Sequence, residues 1–145
     1  DMASYEVPLT SPLGNQAWVD TAATNTIVQV TIVGSTSTTI TDGDRLHAVD
    51  IDNTANTTDD VYLKIFMKAT SPSLDSDPTG NGAHHFIFRC PSGARIQYTC
   101  PQGWDLFAKS TSMKLWYAVT NVATPGDDGT ALATTCTVRL LLDVG

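Results

Sequence analysis

The run from Val61 to Lys68 alternates between two sets of side chains, and this period of two constrains the fold more than any other feature of the sequence. One set is aliphatic throughout, namely Val61, Leu63, Ile65 and Met67. Because successive side chains of a β-strand point to opposite faces, the run predicts a strand with one fully apolar face. Tyr62 and Phe66 make the other face partly apolar. We expect that face to be covered by a second sheet edge, by the N-terminal arm or by another subunit.

Residue usage favours strands and turns over helices along the whole chain. The 145 residues include 22 threonines and 14 aspartates but only one glutamate, and β-branched threonine fits the pleated surface of a sheet. No segment keeps a helical period. Further extended runs stand between turn signals: Ile27–Val33, Ser35–Thr41, Leu46–Asp52, His85–Cys90, Arg95–Cys100, Trp104–Ala108, Lys114–Val122 and Ala133–Val144.

About eight to ten short strands predict an all-β fold, and we expect an antiparallel β-sandwich that is jelly-roll-like. An immunoglobulin-type sandwich is the alternative, although Cys90, Trp104 and Cys136 lack the order and spacing that it requires. The length suits one domain. We therefore predict an extended N-terminal arm over residues 1–15, where Pro8 and Pro12 permit at most a short edge strand, and a single β-sandwich domain over residues 16–145.

Two Cys-Pro-x-Gly sequences, Cys90–Gly93 and Cys100–Gly103, predict turns, because each places proline at the second turn position and glycine at the fourth. We expect the first of them to close a hairpin in which Cys90 faces Arg95.

The chain contains three cysteines, an odd number that does not form a complete disulfide framework. In the predicted hairpin, Cys100 would lie about 16 Å along the strand from Cys90, which is too far for a disulfide. We therefore expect free buried thiols, with one bridge to Cys136 as the alternative.

The charge balance argues against nucleic acid and anionic membranes as partners. Eight basic residues stand against fifteen acidic ones, giving a formal net charge of −7, and the basic residues are dispersed. Phosphate binding requires clustered cations. No apolar stretch has the length of a membrane span, and residues 1–10 lack the layout of a signal peptide, so we expect a soluble protein that is not exported.

Motifs that carry catalysis are absent from the sequence. There is no Gly-x-Ser-x-Gly elbow, phosphate-binding loop or dinucleotide fingerprint, so we predict neither enzymatic activity nor a cofactor. The sharpest metal signal is the calcium-like stretch from Asp75 to Gly80, but Phe86 occupies the position where a bidentate glutamate is needed. Adjacent His84 and His85 would point to opposite faces of a strand. We therefore predict no metal site.

Several motifs between Leu46 and the C-terminus resemble those of small structural proteins in tailed-bacteriophage virions. They are Ile51–Asn56, Val61–Ala69 followed by Ser71-Pro72, Pro101–Phe107 and Thr120–Thr130. Within that group the chain resembles capsid decoration (cement) proteins in its size, its acidity and its lack of helices. The resemblance implies a homotrimer, made in the host cytoplasm, that binds between subunits of the major capsid protein on the capsid surface and stabilises the phage head.

On this hypothesis the contact residues lie on the arm and on the partly apolar strand face, and they are Tyr5, Val7, Leu9, Leu13, Tyr62 and Phe66. The alternative function is that of a carbohydrate-binding or tail adhesin domain. Such a domain would use tryptophan or tyrosine rings, with Trp104 as an example, together with the loop from Asp75 to Gly82.

Overall fold

The computed structural model describes residues 16–31, 39–41, 43–74, 85–106 and 112–144. Within these ranges the chain forms eight strands: β1 (Gln16–Ala23), β2 (Val28–Gln29), β3 (Arg45–Asp52), β4 (Val61–Lys68), β5 (His85–Cys90), β6 (Arg95–Asp105), β7 (Lys114–Thr120) and β8 (Cys136–Asp143). The predicted bounds of β4 and β5 are confirmed residue for residue. The predicted arm over residues 1–15 lies outside the described residues.

The strands form two four-stranded antiparallel sheets, sheet A with the order β1-β8-β3-β6 and sheet B with the order β2-β7-β4-β5. Each strand of the first half pairs with one of the second half, β1 with β8, β2 with β7, β3 with β6 and β4 with β5. The chain is therefore one antiparallel ribbon that folds over on itself into two sheets. That arrangement is the jelly roll, and the predicted fold class is confirmed.

The core lies between the two sheets and consists of the inward half of each alternating strand. On sheet B, the four aliphatic side chains of β4 are fully buried, as predicted. Sheet A presents a matching apolar layer to them, which includes Leu46, Val49, Ile51, Val138 and Leu140. Burial of aliphatic surface contributes about 25 cal/mol per Å², so this layer is the main source of stability.

Aromatic side chains close the open sides of the sandwich. At the side formed by β1 and β2, the Trp18 indole donates to the Tyr117 hydroxyl over 2.8 Å, and that hydroxyl donates to Asp20 over 2.6 Å. At the opposite side, four rings pack together between the edge strands, those of Phe86, Phe88, Tyr98 and Trp104. Both sides are thus sealed by rings, and the polar groups of Trp18, Tyr117 and Tyr98 have partners within the chain.

The predicted hairpin across Pro91–Ala94 is wrong. Strand β5 pairs with β4 in sheet B, whereas β6 pairs with β3 in sheet A, so this turn carries the chain from one sheet to the other. The reason is that the turn binds to the loop after β3 rather than to its own strands. The Gly93 amide donates to the carbonyls of Asn53 and Asn56, and the Asn53 side chain donates to the Pro91 carbonyl.

The turn predicted at Cys100–Gly103 is also wrong, because β6 runs through it without a break. Leu46 lies opposite Trp104 and Ala48 lies opposite Thr99, so β6 advances five residues (99 to 104) while β3 advances two (46 to 48). The Pro-x-Gly sequence therefore forms a bulge with three extra residues. The Gly103 φ of +79° is what permits it.

Strand β1 has no counterpart among the sequence predictions. Its inward side chains include Trp18 and the polar Asp20, so it lacks a clean apolar alternation. The predicted run Ile27–Val33 is reduced to β2 in the described residues, although the following Val30 is buried and its amide donates to the Leu115 carbonyl.

The three cysteines carry free thiols, as predicted. Cys90 and Cys136 are buried in the core and Cys100 is half-buried. Burial raises the pKa of the Cys136 thiol to about 12. A thiol in this state stays protonated near neutral pH and acts as a small apolar side chain.

Candidate interaction surface

The two outer faces of the sandwich differ in how well the chain itself covers them. On sheet B, Phe66 is only 1% exposed, because it packs into a second apolar cluster with Leu74 and Ala118. Half-buried Ile27 and Trp116 complete this cluster. The apolar outer face of β4 is therefore covered by segments of the same chain.

Lys64 strengthens that cover. It lies on the outer face of β4 and is fully buried, and its ammonium group donates to the carbonyls of Thr124 and Asp127 over 2.6 and 2.8 Å. Desolvation lowers the pKa of Lys64, although the charges of Asp127 and Asp128 act in the opposite direction. The lysine thus ties the loop between β7 and β8 down onto sheet B.

The outer face of sheet A is open and carries a shallow depression of about 150 Å³, here called the sheet A depression. Its apolar lining comes from three strands and consists of Ala17, Trp18, Val19, Ala48, Leu140 and Leu141. Strand register places Ala17, Leu141 and Ala48 in one row. Val19 lies in the next row and is 52% exposed, the most open large apolar side chain among the described residues.

A group of paired charges borders the depression. Asp50 and Arg139 line it, and Asp50 lies in the middle of sheet A with its side chain only 10% exposed. Arg95 donates to both carboxylate oxygens through Nε and Nη2, over 3.1 and 3.0 Å, and the Gln97 amide donates over 2.7 Å. Arg139 Nη1 lies 3.7 Å away.

The electrostatics of Asp50 follow from these contacts. Burial raises the pKa of the carboxyl group, but the hydrogen bonds from Arg95 and Gln97 and the positive charges of Arg95 and Arg139 outweigh burial and hold the pKa below its ordinary value. Asp50 is therefore ionised and already paired. A partner that covers this face would therefore not bury an unpaired carboxylate.

The predicted contact residues fall in different places. Phe66 is covered within the chain and offers a partner no surface, whereas Tyr62 is half-buried on the same face of sheet B. The other four lie outside the described residues, and they are Tyr5, Val7, Leu9 and Leu13. Sequence reasoning missed the sheet A depression, because its side chains are small or scattered along the chain and meet only through strand register.

The features proposed for metal and glycan binding are only partly described. The loop from Asp75 to Gly82 and His84 lie outside the described residues. Across the described ranges, no group of three or more His, Cys, Asp or Glu side chains could hold a metal ion. Trp104 packs against Phe86 and Phe88, with ring centroids 6.3 and 5.4 Å apart, and so serves mainly to seal the sandwich.

Comparisons with known proteins give no match to a family model, a curated protein or a solved structure. The likeness to phage virion proteins therefore stays a prediction. None of the described segments is a helix long and apolar enough to cross a membrane.

Proposed function

We propose that this protein is a virion structural protein, a capsid decoration or cement protein that stabilises a phage head by binding between major capsid subunits. The observation that carries the proposal is the difference between the outer faces. Segments of the chain itself cover the outer face of sheet B, whereas the outer face of sheet A presents the depression and its paired charges. A jelly roll with one open face is suited to lying flat against another protein.

The chemistry of that face fits a protein partner. Its centre is apolar and bordered by arginine, and protein interfaces combine an apolar centre with aromatic residues and arginine. Asp50 is already bound by Arg95 and Gln97, so docking would not leave a buried charge without a partner. The side chains of Arg95 and Arg139 are 47% and 43% exposed, so part of each is open to a partner, although Arg139 Nη1 is buried.

Imaging of virions tests this function directly. Electron cryo-microscopy of particles with and without the gene for this protein is expected to reveal a three-lobed density on the outside of the head that disappears on deletion. Deletion should also make the heads more fragile on heating or in low salt. Loss of density from the tail, with the head surface unchanged, would contradict the proposal.

A further inference from the structure

The sheet A depression is bordered by a cation, Arg139, whose pairing within the described part of the chain is incomplete. Asp50 lies on β3, between β8 and β6. Its carboxylate receives four hydrogen bonds, all of them from Arg95 and Gln97 on β6. On the β8 side, Arg139 Nη1 lies 3.7 Å from Asp50 Oδ1, beyond hydrogen-bonding distance, and has no acceptor among the described residues. Asp50 is therefore committed to β6, and Arg139 remains open to a further acceptor.

A partner that covers the depression would make such an acceptor necessary. Arg139 is partly exposed and lies between Val19 and Asp50 in one row of the sheet, beside the row that contains Leu141. Packing on the apolar lining therefore removes water from the arginine. Removing water from a charge is unfavourable unless a counter-ion replaces it, and carboxylates form strong, charge-assisted hydrogen bonds with arginine. The partner must then bring an acidic side chain.

The apolar part of the depression sets a second requirement. Ala17 and Ala48 flank Leu141, and their short side chains leave the space of about 150 Å³. A space of that size takes a group as large as benzene, so one aliphatic side chain fits. Leu141 and Arg139 lie two residues apart on β8, a distance of about 7 Å. Side chains two positions apart on an extended segment have the same spacing.

We propose that the depression binds an extended segment of a partner protein in which an aliphatic residue and an aspartate or glutamate stand two positions apart. The aliphatic side chain packs on Ala17, Ala48 and Leu141, and the carboxylate accepts hydrogen bonds from Arg139. This inference rests on the proposed function, in which a major capsid subunit supplies the segment. The contact acts at short range, because the net charge of −7 repels acidic surfaces at long range.

The lining of the depression disfavours a sugar as its occupant. Trp18 is the one aromatic residue in the described lining, and its half-buried indole donates into the sandwich, to the Tyr117 hydroxyl. The lining thus offers no exposed ring on which a pyranose could stack.

Charge variants of the full chain test the proposal on heads stripped of the protein. Arg139→Gln removes the cation, Arg139→Lys keeps a charge there, and Arg89→Gln is the matched control on β5 of sheet B. With all three variants shown to be folded, Arg139→Gln is expected to weaken binding at least about tenfold. Arg139→Lys should weaken binding less, and Arg89→Gln should bind like wild type.

Two outcomes of this experiment would overturn the proposal. The first is equal binding to heads by Arg139→Gln and wild type. The second is a variant Arg139→Gln that binds heads normally but loses mass as an oligomer in solution, which would assign the depression to a second copy of the chain.

A short peptide separates the site from the capsid-binding role. The probe is the end-blocked peptide Ser-Leu-Thr-Glu-Ser, and its neutral control replaces the glutamate with glutamine. In NMR titrations of the labelled protein, the glutamate peptide should shift the Leu141 and Arg139 resonances and bind about threefold more tightly than the control. Arg139→Gln should abolish this preference.

Equal binding of the two peptides, or no shift at Leu141 with either, would overturn the site. A preference for the glutamate peptide, together with failure of the wild-type protein to bind stripped heads, would support the site and contradict the capsid-binding role.

Discussion

Asp50 is the residue on which the open face of sheet A depends. It is the acceptor that holds Arg95 and Gln97 in place, and it lies within 3.7 Å of Arg139. Breaking one partner of a largely buried ion pair is costly because the remaining charges lose their counter-ion. The polar border of the depression is thus organised by one carboxylate.

Asp50→Asn is expected to lower the free energy of unfolding by about 1–3 kcal/mol near neutral pH. Because the pKa of Asp50 is held below its ordinary value of 3.8, the stabilisation is fully present above that value. It disappears as the pH falls through the lowered pKa of the folded state. Urea unfolding at about pH 6 and about pH 2.5 should therefore show a gap between wild type and variant that is smaller in acid. A gap of equal size at both pH values would contradict this role.

At the scale of elements, the bulge in β6 requires a glycine at position 103. A Cβ on Gly103 would lie 2.7 Å from the Cβ of Arg45, and φ there is +79°. Gly93, in the turn between β5 and β6, has a similar φ of +71° but no atom within 4 Å of an added Cβ. Comparing the same substitution at the two glycines therefore separates the effect of backbone strain on stability from the effect of steric overlap.

Gly93→Ala is expected to cost about 1 kcal/mol from the positive φ alone. Gly103→Ala should cost about 2–4 kcal/mol, because the overlap with Arg45 adds to the same backbone strain. Thermal or urea unfolding of the two variants measures the difference. Equal losses would mean that the bulge relaxes around the added methyl group.

The loop between β7 and β8 depends on Lys64 in a comparable way. Lys64→Ala removes a fully buried stem and leaves the carbonyls of Thr124 and Asp127 without their donor. We expect a loss of about 2–4 kcal/mol in unfolding free energy, against less than about 1 kcal/mol for Lys68→Ala on the same strand face. Faster hydrogen exchange in residues 121–130 would accompany the loss. Similar losses for the two variants would contradict the role of Lys64 in holding the loop between β7 and β8 against sheet B.

The elements that sequence patterns predict are those whose signal is local. Strand β4 carries its whole pattern within eight residues, and its bounds are confirmed. Which strand pairs with β5 is not decided by the local sequence. Pro91 and Gly93 favour a turn in either case, whether β5 and β6 pair with each other or pair with β4 and β3 respectively. The sheet A depression was not predictable for the same reason. Ala17, Ala48 and Leu141 meet only after β1, β3 and β8 have paired.

The whole molecule is a jelly roll with one face closed by its own chain and one face open. If the protein is the capsid decoration protein that we propose, this asymmetry predicts that it lies on the capsid with sheet A inward and the covered face of sheet B outward. The proposed homotrimer is tested in solution by light scattering coupled to size-exclusion chromatography. A mass of three times 15.5 kDa is expected, and a monomer at all concentrations would remove the trimer from the proposal.

The most direct test of the central claim is rebinding of the purified protein to heads stripped of it. Ala17→Asp places a charge on the open face, whereas Ala55→Asp makes the same change at an exposed alanine in the loop after β3. With both variants shown to be folded, Ala17→Asp should bind at least about tenfold more weakly, a loss of about 1.4 kcal/mol, and Ala55→Asp should bind like wild type. Equal binding by all three proteins would contradict the assignment of sheet A as the face that binds the capsid.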